Sequence, residues 1–287
     1  MEIYFEEFII KNKSGYPMLT DIRYLKNLNE LKNRKPIIIF SHGFKGFKDF
    51  GCFNLIANEF AKAGFVFLKF NFSLNGTTPE KPTEFLDLKA FSRNTFTQEL
   101  EDLGDIIDEV CTEKFINNHP IDINQIFLIG HSMGGGISIL KAYQDNRIKK
   151  LVTWASIFQF GKFWSQEMID KWKIEGIRYE FNSRTKQQMP LKYLIYQDFI
   201  DNLEKLDIPI AVKNLEIPFR LIHGDKDETL PVAITNLFKE ANENIDIQIV
   251  ENANHTFGMM QPWKEIDIPK QSISLLEISI IFLLNNI

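Results

Sequence analysis

Cysteine is scarce in this chain, with only Cys52 and Cys111 among 287 residues. Two thiols cannot build a disulfide framework, and without paired Cys or His spacing they offer no structural zinc site. The count suits a reducing cytoplasm. Surplus positive charge is missing too: 33 Lys and Arg stand against 38 Asp and Glu, for a net charge of -5. Phosphate backbones demand a clustered excess of Lys and Arg, so a nucleic-acid partner is not expected. Nor is there a run of the ~20 apolar residues that a membrane span needs. The most apolar tail segment, 273–284, carries Glu277 and reads as a buried terminal helix, with no membrane partner expected. The opening MEIYFEEFII is acidic and alternating where an export signal would be basic and then continuously apolar. No phosphate loop of the G-x-x-x-x-G-K type, no dinucleotide fingerprint and no H-E-x-x-H cluster occurs, so neither a cofactor nor a catalytic metal is expected.

What the chain does have is apolar material. Hydrophobic residues make up 44% of it and 26 residues are phenylalanine, ample for one large core. Residues 2–10 and 18–25 read as two β-prone segments around a Lys-Ser-Gly-Tyr-Pro turn, hence an antiparallel hairpin. Short continuous apolar runs at 36–40, 65–70, 125–129, 150–154, 219–223 and 245–250 fit strands buried on both faces. Helical spacing lies between several of them, at 53–63, 95–115 and 232–241, and a long loop is expected over 74–93. Alternating strands and helices imply an α/β fold, a mostly parallel sheet with helices on both faces and ligands beyond the carboxyl ends of the strands. Between about 156 and 212 the pattern changes to an aromatic, charge-mixed stretch that includes Phe160, Phe163, Trp164 and Trp172. It reads as a helical cap inserted into a single domain spanning 1–287. Its aromatics are expected chiefly to pack the cap onto the sheet, and 182–186 to form a solvated loop.

Chemistry concentrates at three places. Gly130-His131-Ser132-Met133-Gly134 matches the nucleophile elbow G-x-S-x-G, in which a strained strand-to-helix turn pushes the serine hydroxyl clear of the sheet. A serine hydroxyl is a weak nucleophile at neutral pH and needs a histidine to take its proton and an acid to orient that histidine. In the chain order Ser, acid, His, only His223 and His255 follow Ser132. An acid after His223 would break the order, so His255, in the polar loop after the last strand, is the expected base. The acid lies in Gly224-Asp225-Lys226-Asp227-Glu228. Asp227 is the expected acid, because it is far enough past the strand end to reach the next loop, whereas Asp225, the alternative, is better placed to bond its own turn. The oxyanion of a tetrahedral intermediate needs preorganised donors. The backbone N–H groups of Met133 and of Phe44, in the loop after strand 36–40, are the expected pair, with His42 shaping that loop.

With these residues placed, the chain resembles the α/β-hydrolase superfamily, and within it small-capped bacterial esterases such as cinnamoyl and feruloyl esterases and dienelactone-hydrolase-like proteins. The resemblance rests on Ser41-His42-Gly43-Phe44-Lys45-Gly46, the elbow, His223-Gly224-Asp225-Lys226-Asp227 and Asn254-His255-Thr256-Phe257. It implies Asp227 as the acid. Two departures stand out. Dienelactone hydrolases proper carry cysteine where this chain has Ser132, and many relatives carry an Asp and a Gly-His-Gly turn where this chain reads Asn71-Phe72-Ser73-Leu74-Asn75-Gly76. The expected activity is hydrolysis of small-molecule carboxylic esters through an acyl-enzyme on Ser132. Thioester, amide or peptide cleavage on the same triad is an alternative, as is a binding protein that keeps the pocket without turnover.

Overall fold

The computed structural model describes residues 2–26, 33–162 and 164–285. The chain opens with strands β1 (Ile3–Lys11) and β2 (Pro17–Leu25), paired antiparallel across a turn in which Gly15 takes φ +82°. Strand β3 (Lys35–Ser41) follows, then helix α1 (Phe53–Lys62) and strand β4 (Val66–Phe70), whose five residues are all buried. A long irregular stretch ends in the short helix α2 (Leu88–Phe91). Helices α3 (Phe96–Val110) and α4 (Glu113–Asn118) come next. Where a single helix over 95–115 was expected, the chain breaks at Thr112: its hydroxyl accepts from the Phe115 N–H and caps a new helix, the local competition that disfavours threonine inside helices.

Strand β5 (Ile121–His131) runs directly into helix α5 (Met133–Gln144), and strand β6 (Ile148–Trp154) pairs parallel to β5. Beyond β6 the chain forms helix α6 (Gln166–Glu175), strands β7 (Ile177–Asn182) and β8 (Gln187–Lys192), and helices α7 (Leu194–Asp201) and α8 (Ile208–Asn214). The expected helical cap is thus mixed, because β7 and β8 pair as a separate antiparallel hairpin. Gly176 stops α6 in the left-handed conformation, and the following residues alternate so that Tyr179 and Phe181 face outward. The last part of the inserted stretch belongs to the layer beside the sheet: α8 packs so tightly on α5 that a Cβ on Gly136 would stand 2.7 Å from Ile208 Cδ1. Phe163, counted among the cap aromatics, lies outside the described residues.

Strand β9 (Phe219–Gly224), helix α9 (Ile234–Ala241), strand β10 (Asp246–Val250) and helix α10 (Lys270–Leu284) complete the chain. The sheet order is β1-β2-β4-β3-β5-β6-β9-β10, antiparallel from β1 to β4 and parallel through the rest. The central parallel strands carry apolar residues on both faces, which helices cover, and the carboxyl ends of β3, β5, β9 and β10 share one edge. At the hairpin side the interior holds an ionic network instead. Lys48 Nζ lies 2.7 Å from both Asp21 and Glu7 and 2.8 Å from Asp49, while the fully buried Lys69 ammonium bonds Asp21 and Asp49. No helix among the described residues is long and apolar enough to cross a membrane.

Candidate active site

The site begins with the turn from β5 to α5. Ser132 sits there with φ +55° and ψ -119°, a conformation side chains rarely adopt and one held by its surroundings. Its N–H donates to Trp154 O at 2.9 Å, and its carbonyl accepts from Gly135 N at 3.0 Å and Ile157 N at 3.3 Å. The flanking glycines are required by contact as well as by conformation. A Cβ on Gly130 would lie 2.3 Å from Gly134 O, and one on Gly134 would lie 2.3 Å from His42 O and 2.4 Å from Ser41 O. The absence of side chains lets α5 start hard against the end of β3.

The loops after β9 and β10 close on this turn for the same reason. A Cβ on Gly224 would stand 2.2 Å from Ala253 O, and Lys226 N donates to that carbonyl at 2.9 Å, strapping the two loops together. Asp227 is thereby set beneath His255. His255 Nδ1–H donates to Asp227 Oδ2 at 2.8 Å, and His255 Nε2 lies 2.9 Å from Ser132 Oγ. Asp227 Oδ1 accepts from Thr229 N at 2.9 Å and Leu230 N at 2.8 Å. Burial by itself would raise this carboxyl, but the hydrogen bonds from His223, His255 and Leu230 outweigh it and hold the group below the usual carboxylate range. Asp225, the other acid left open, hydrogen-bonds neither histidine among the described residues; its N–H bonds Val250 O at 3.2 Å.

Two histidines that sequence reasoning left without a role lie against this chain of bonds. His223 Nε2–H donates to Leu230 O at 2.8 Å and stands 3.3 Å from Asp227 Oδ2, bracing the carboxylate from behind. His131 Nε2 bonds the His255 carbonyl at 2.9 Å, its ring 5.0 Å from the His255 ring. Burial holds His131 neutral, lowered to about 3. Nothing in the order of residues sets His131 apart from any other residue in the variable position of the elbow.

The loop after β3 carries Phe44 over the elbow: a Cβ on the preceding Gly43 would meet Ser132 Cβ at 3.0 Å. Met133 is the first residue of α5, so its N–H has no partner within the helix. His42 is buried and neutral, desolvation lowering it to about 4; its Nδ1–H donates to Gly43 O at 2.9 Å and its Nε2 accepts from Phe72 N at 3.3 Å. The 71–76 segment, in which this chain departs from its resemblance, braces this loop. Asn71 Oδ1 accepts from Lys48 N at 2.6 Å and Asn75 Nδ2 donates to Gly46 O at 3.2 Å. The turn joining β7 to β8, expected to be solvated, instead reaches the same loop. Arg184 donates to Lys45 O at 2.5 Å with its guanidinium over the Phe50 ring, so cap and loop are tied at the site.

Two cavities meet at Ser132. One, of about 490 Å³, is the more polar of the two, with Arg184, Asn254 and His255 in its walls. The other, of about 390 Å³, is chiefly apolar and runs between Phe44, Phe96, Phe160 and Trp164. Both volumes lie within the range of small-molecule sites, ~300–1,000 Å³.

Comparison with known proteins agrees with this architecture. A protein of Mycoplasma genitalium named for an esterase/lipase activity is 31% identical over 199 residues, which cover 68% of this chain and 61% of that protein's length. A structure of DcsB in complex with its substrate analogue superposes with a TM-score of 0.74 at 17% identity, over 99% of this chain and 100% of that one. Est1E of Butyrivibrio proteoclasticus with ferulic acid bound gives 0.67 at 16% identity, over 96% and 98%. At these identities the two structures share the α/β-hydrolase fold with this chain. The family model of the serine aminopeptidases, S33, matches residues 32–193. That match spans more than half of the chain and contains the elbow and the loop that covers it, and this chain belongs to that α/β-hydrolase family.

Proposed function

We propose that this protein is a serine hydrolase that cleaves carboxylic esters of small molecules. The observation that carries the reading is the unbroken relay from Asp227 through His255 to Ser132, with both hydrogen bonds under 3 Å. In this reading His255 Nε2 takes the hydroxyl proton as Ser132 Oγ attacks the ester carbonyl, and Asp227 stabilises the imidazolium that forms. The Phe44 and Met133 N–H groups receive the developing oxyanion. His255 then returns the proton to the departing alcohol, and water attacks the acyl-enzyme by the same route in reverse. The apolar cavity suits an acyl chain and the polar one the alcohol. The two free cysteines, Cys52 buried and Cys111 partly so, fit a reducing cytoplasm.

The test is hydrolysis of p-nitrophenyl acetate by wild type and Ser132→Ala, with a fluorophosphonate probe to mark the nucleophile. We expect labelling at Ser132 and loss of activity by ~10⁴-fold or more in the variant; a folded wild type that neither turns over nor is labelled would refute the reading. Peptide bond cleavage is the second reading, favoured by the family's description as serine aminopeptidases. An aminoacyl p-nitroanilide turned over faster than the matched ester would establish it.

A further inference from the structure

The apolar cavity holds one group that its lining does not explain. Glu99, on α3, contributes to the wall, yet it is only 2% exposed and no cation among the described residues is paired with it. Its Oε1 accepts from Asn94 Nδ2 at 2.7 Å, while Oε2 is buried without a hydrogen-bond partner among the described residues. Asn94 Oδ1, on the same wall, is bare as well. Burial pushes the Glu99 carboxyl up to about 8, with the Asp102 carboxylate on the same helix adding to the rise. Near neutral pH the group is therefore an uncharged acid. Because Oε1 is the acceptor for Asn94, the proton resides on Oε2, and an O–H donor is left facing apolar surroundings. A purely structural carboxyl at this place is hard to explain: the cost of burying an unpaired polar group would be removed by a leucine of similar size. A cavity whose lining includes one residue with a bare donor and another with a bare acceptor is matched by a group that both accepts and donates.

We propose that Glu99 is a specificity-determining residue for the acyl group, its carboxyl meeting a hydroxyl at the end of an apolar acyl chain laid along the wall that Phe96, Phe160 and Trp164 form. The hydroxyl oxygen accepts from Glu99 Oε2–H and its proton is donated to Asn94 Oδ1, which satisfies both bare atoms at once. The inference rests on the ester-hydrolase reading and names the substrate class within it. Plain chains of the same length leave both atoms unpaired, and sites built to bond a substrate hydroxyl reject analogues that lack it far more strongly than apolar pockets discriminate by size.

The experiment measures kcat/KM for matched p-nitrophenyl esters of plain and ω-hydroxy alkanoic acids, from four to ten carbons, on wild type, Glu99→Gln and Glu99→Leu. Acetate turnover reports the catalytic centre, and thermal unfolding reports the fold. Wild type is expected to prefer the hydroxy ester by roughly tenfold or more at one chain length. The amide introduced by Glu99→Gln still donates and keeps the preference; the leucine variant loses it through a gain in the plain ester. If the leucine variant fails to fold, Glu99→Met is read in its place. Acetate turnover without a hydroxyl preference at any length, or a preference that survives the apolar substitution, overturns the proposal alone. Absence of any ester turnover overturns the ester reading and this proposal with it.

Discussion

Alanine at Gly134 is the sharpest test of how the elbow is built, because helix propensity and packing give opposite signs. Gly134 is the second residue of α5, and replacing glycine by alanine within a helix ordinarily adds ~1 kcal/mol of stability. Here the new methyl would lie 2.3 Å from His42 O and 2.4 Å from Ser41 O, both backbone atoms at the end of a central strand that cannot swing away. Overpacking commonly costs ~1–3 kcal/mol, and contacts this short against backbone belong at or beyond the upper end. The expected net loss is about 2 kcal/mol, or roughly 3 °C in Tm for a chain of this size. Gly104 in α3 is the internal control. There a Cβ would meet only the end of the Lys141 side chain, with Nζ at 2.8 Å, which is flexible and can move aside. Gly104→Ala should therefore hold or raise the Tm. Thermal unfolding by circular dichroism reads both, and p-nitrophenyl acetate hydrolysis should fall by ~100-fold in Gly134→Ala as α5 shifts Met133 against Phe44. A Gly134→Ala protein as stable and active as wild type would refute the argument that this contact sets the elbow.

Asp227→Asn should lower kcat by ~10⁴-fold by removing the carboxylate that orients His255, whereas Asp225→Asn should leave ester turnover near wild type; the reverse ranking would make Asp225 the acid. His42 and His131 are held neutral, at about 4 and about 3 against an ordinary 6.5. The unfolded chain therefore binds protons below 6.5 that the fold refuses, and stability must fall as pH drops through that window. The loss at pH 5 is about 4 kcal/mol for the pair, while Glu99, raised to about 8 in the fold, gains about 2–3 kcal/mol over the same interval. Urea unfolding at pH 7 and pH 5 should therefore read a net loss of about 1 kcal/mol, and an equal or higher midpoint at pH 5 would contradict it. Asp227 acts in a lower window: its carboxyl lies below the ordinary 3.8 in the fold, so its contribution is complete above that value and lost only in stronger acid. Lys69→Met removes a fully buried ammonium from between Asp21 and Asp49 and should cost ~3–5 kcal/mol, measured by denaturant unfolding.

The order of strands and helices, the elbow and the loop histidine were legible in the sequence because each is a local rule. Continuous apolar runs mark strands covered on both faces, and a glycine-flanked serine between such a run and a helical stretch marks the turn. Residues such as Thr112 and Gly176 show where local reading stops: one hydroxyl and one left-handed glycine divided or ended helices that hydrophobic spacing alone would continue. The hairpin of β7 and β8 was missed because two half-exposed strands bury too little to leave a strong alternating pattern. Tertiary structure alone brought His223 and His131 against the Asp227 and His255 pair, turned Arg184 onto the loop of Phe44, and left Glu99 with a bare oxygen in the apolar cavity. Two of those relations, His131 with His255 and Arg184 with Lys45, join residues more than a hundred positions apart and depend on where loops land after the sheet has formed. Periodicity along the chain reports which side of a strand or helix is covered. It carries no information on which polar atoms meet across the sheet edge, and that is where the chemistry of this protein is set.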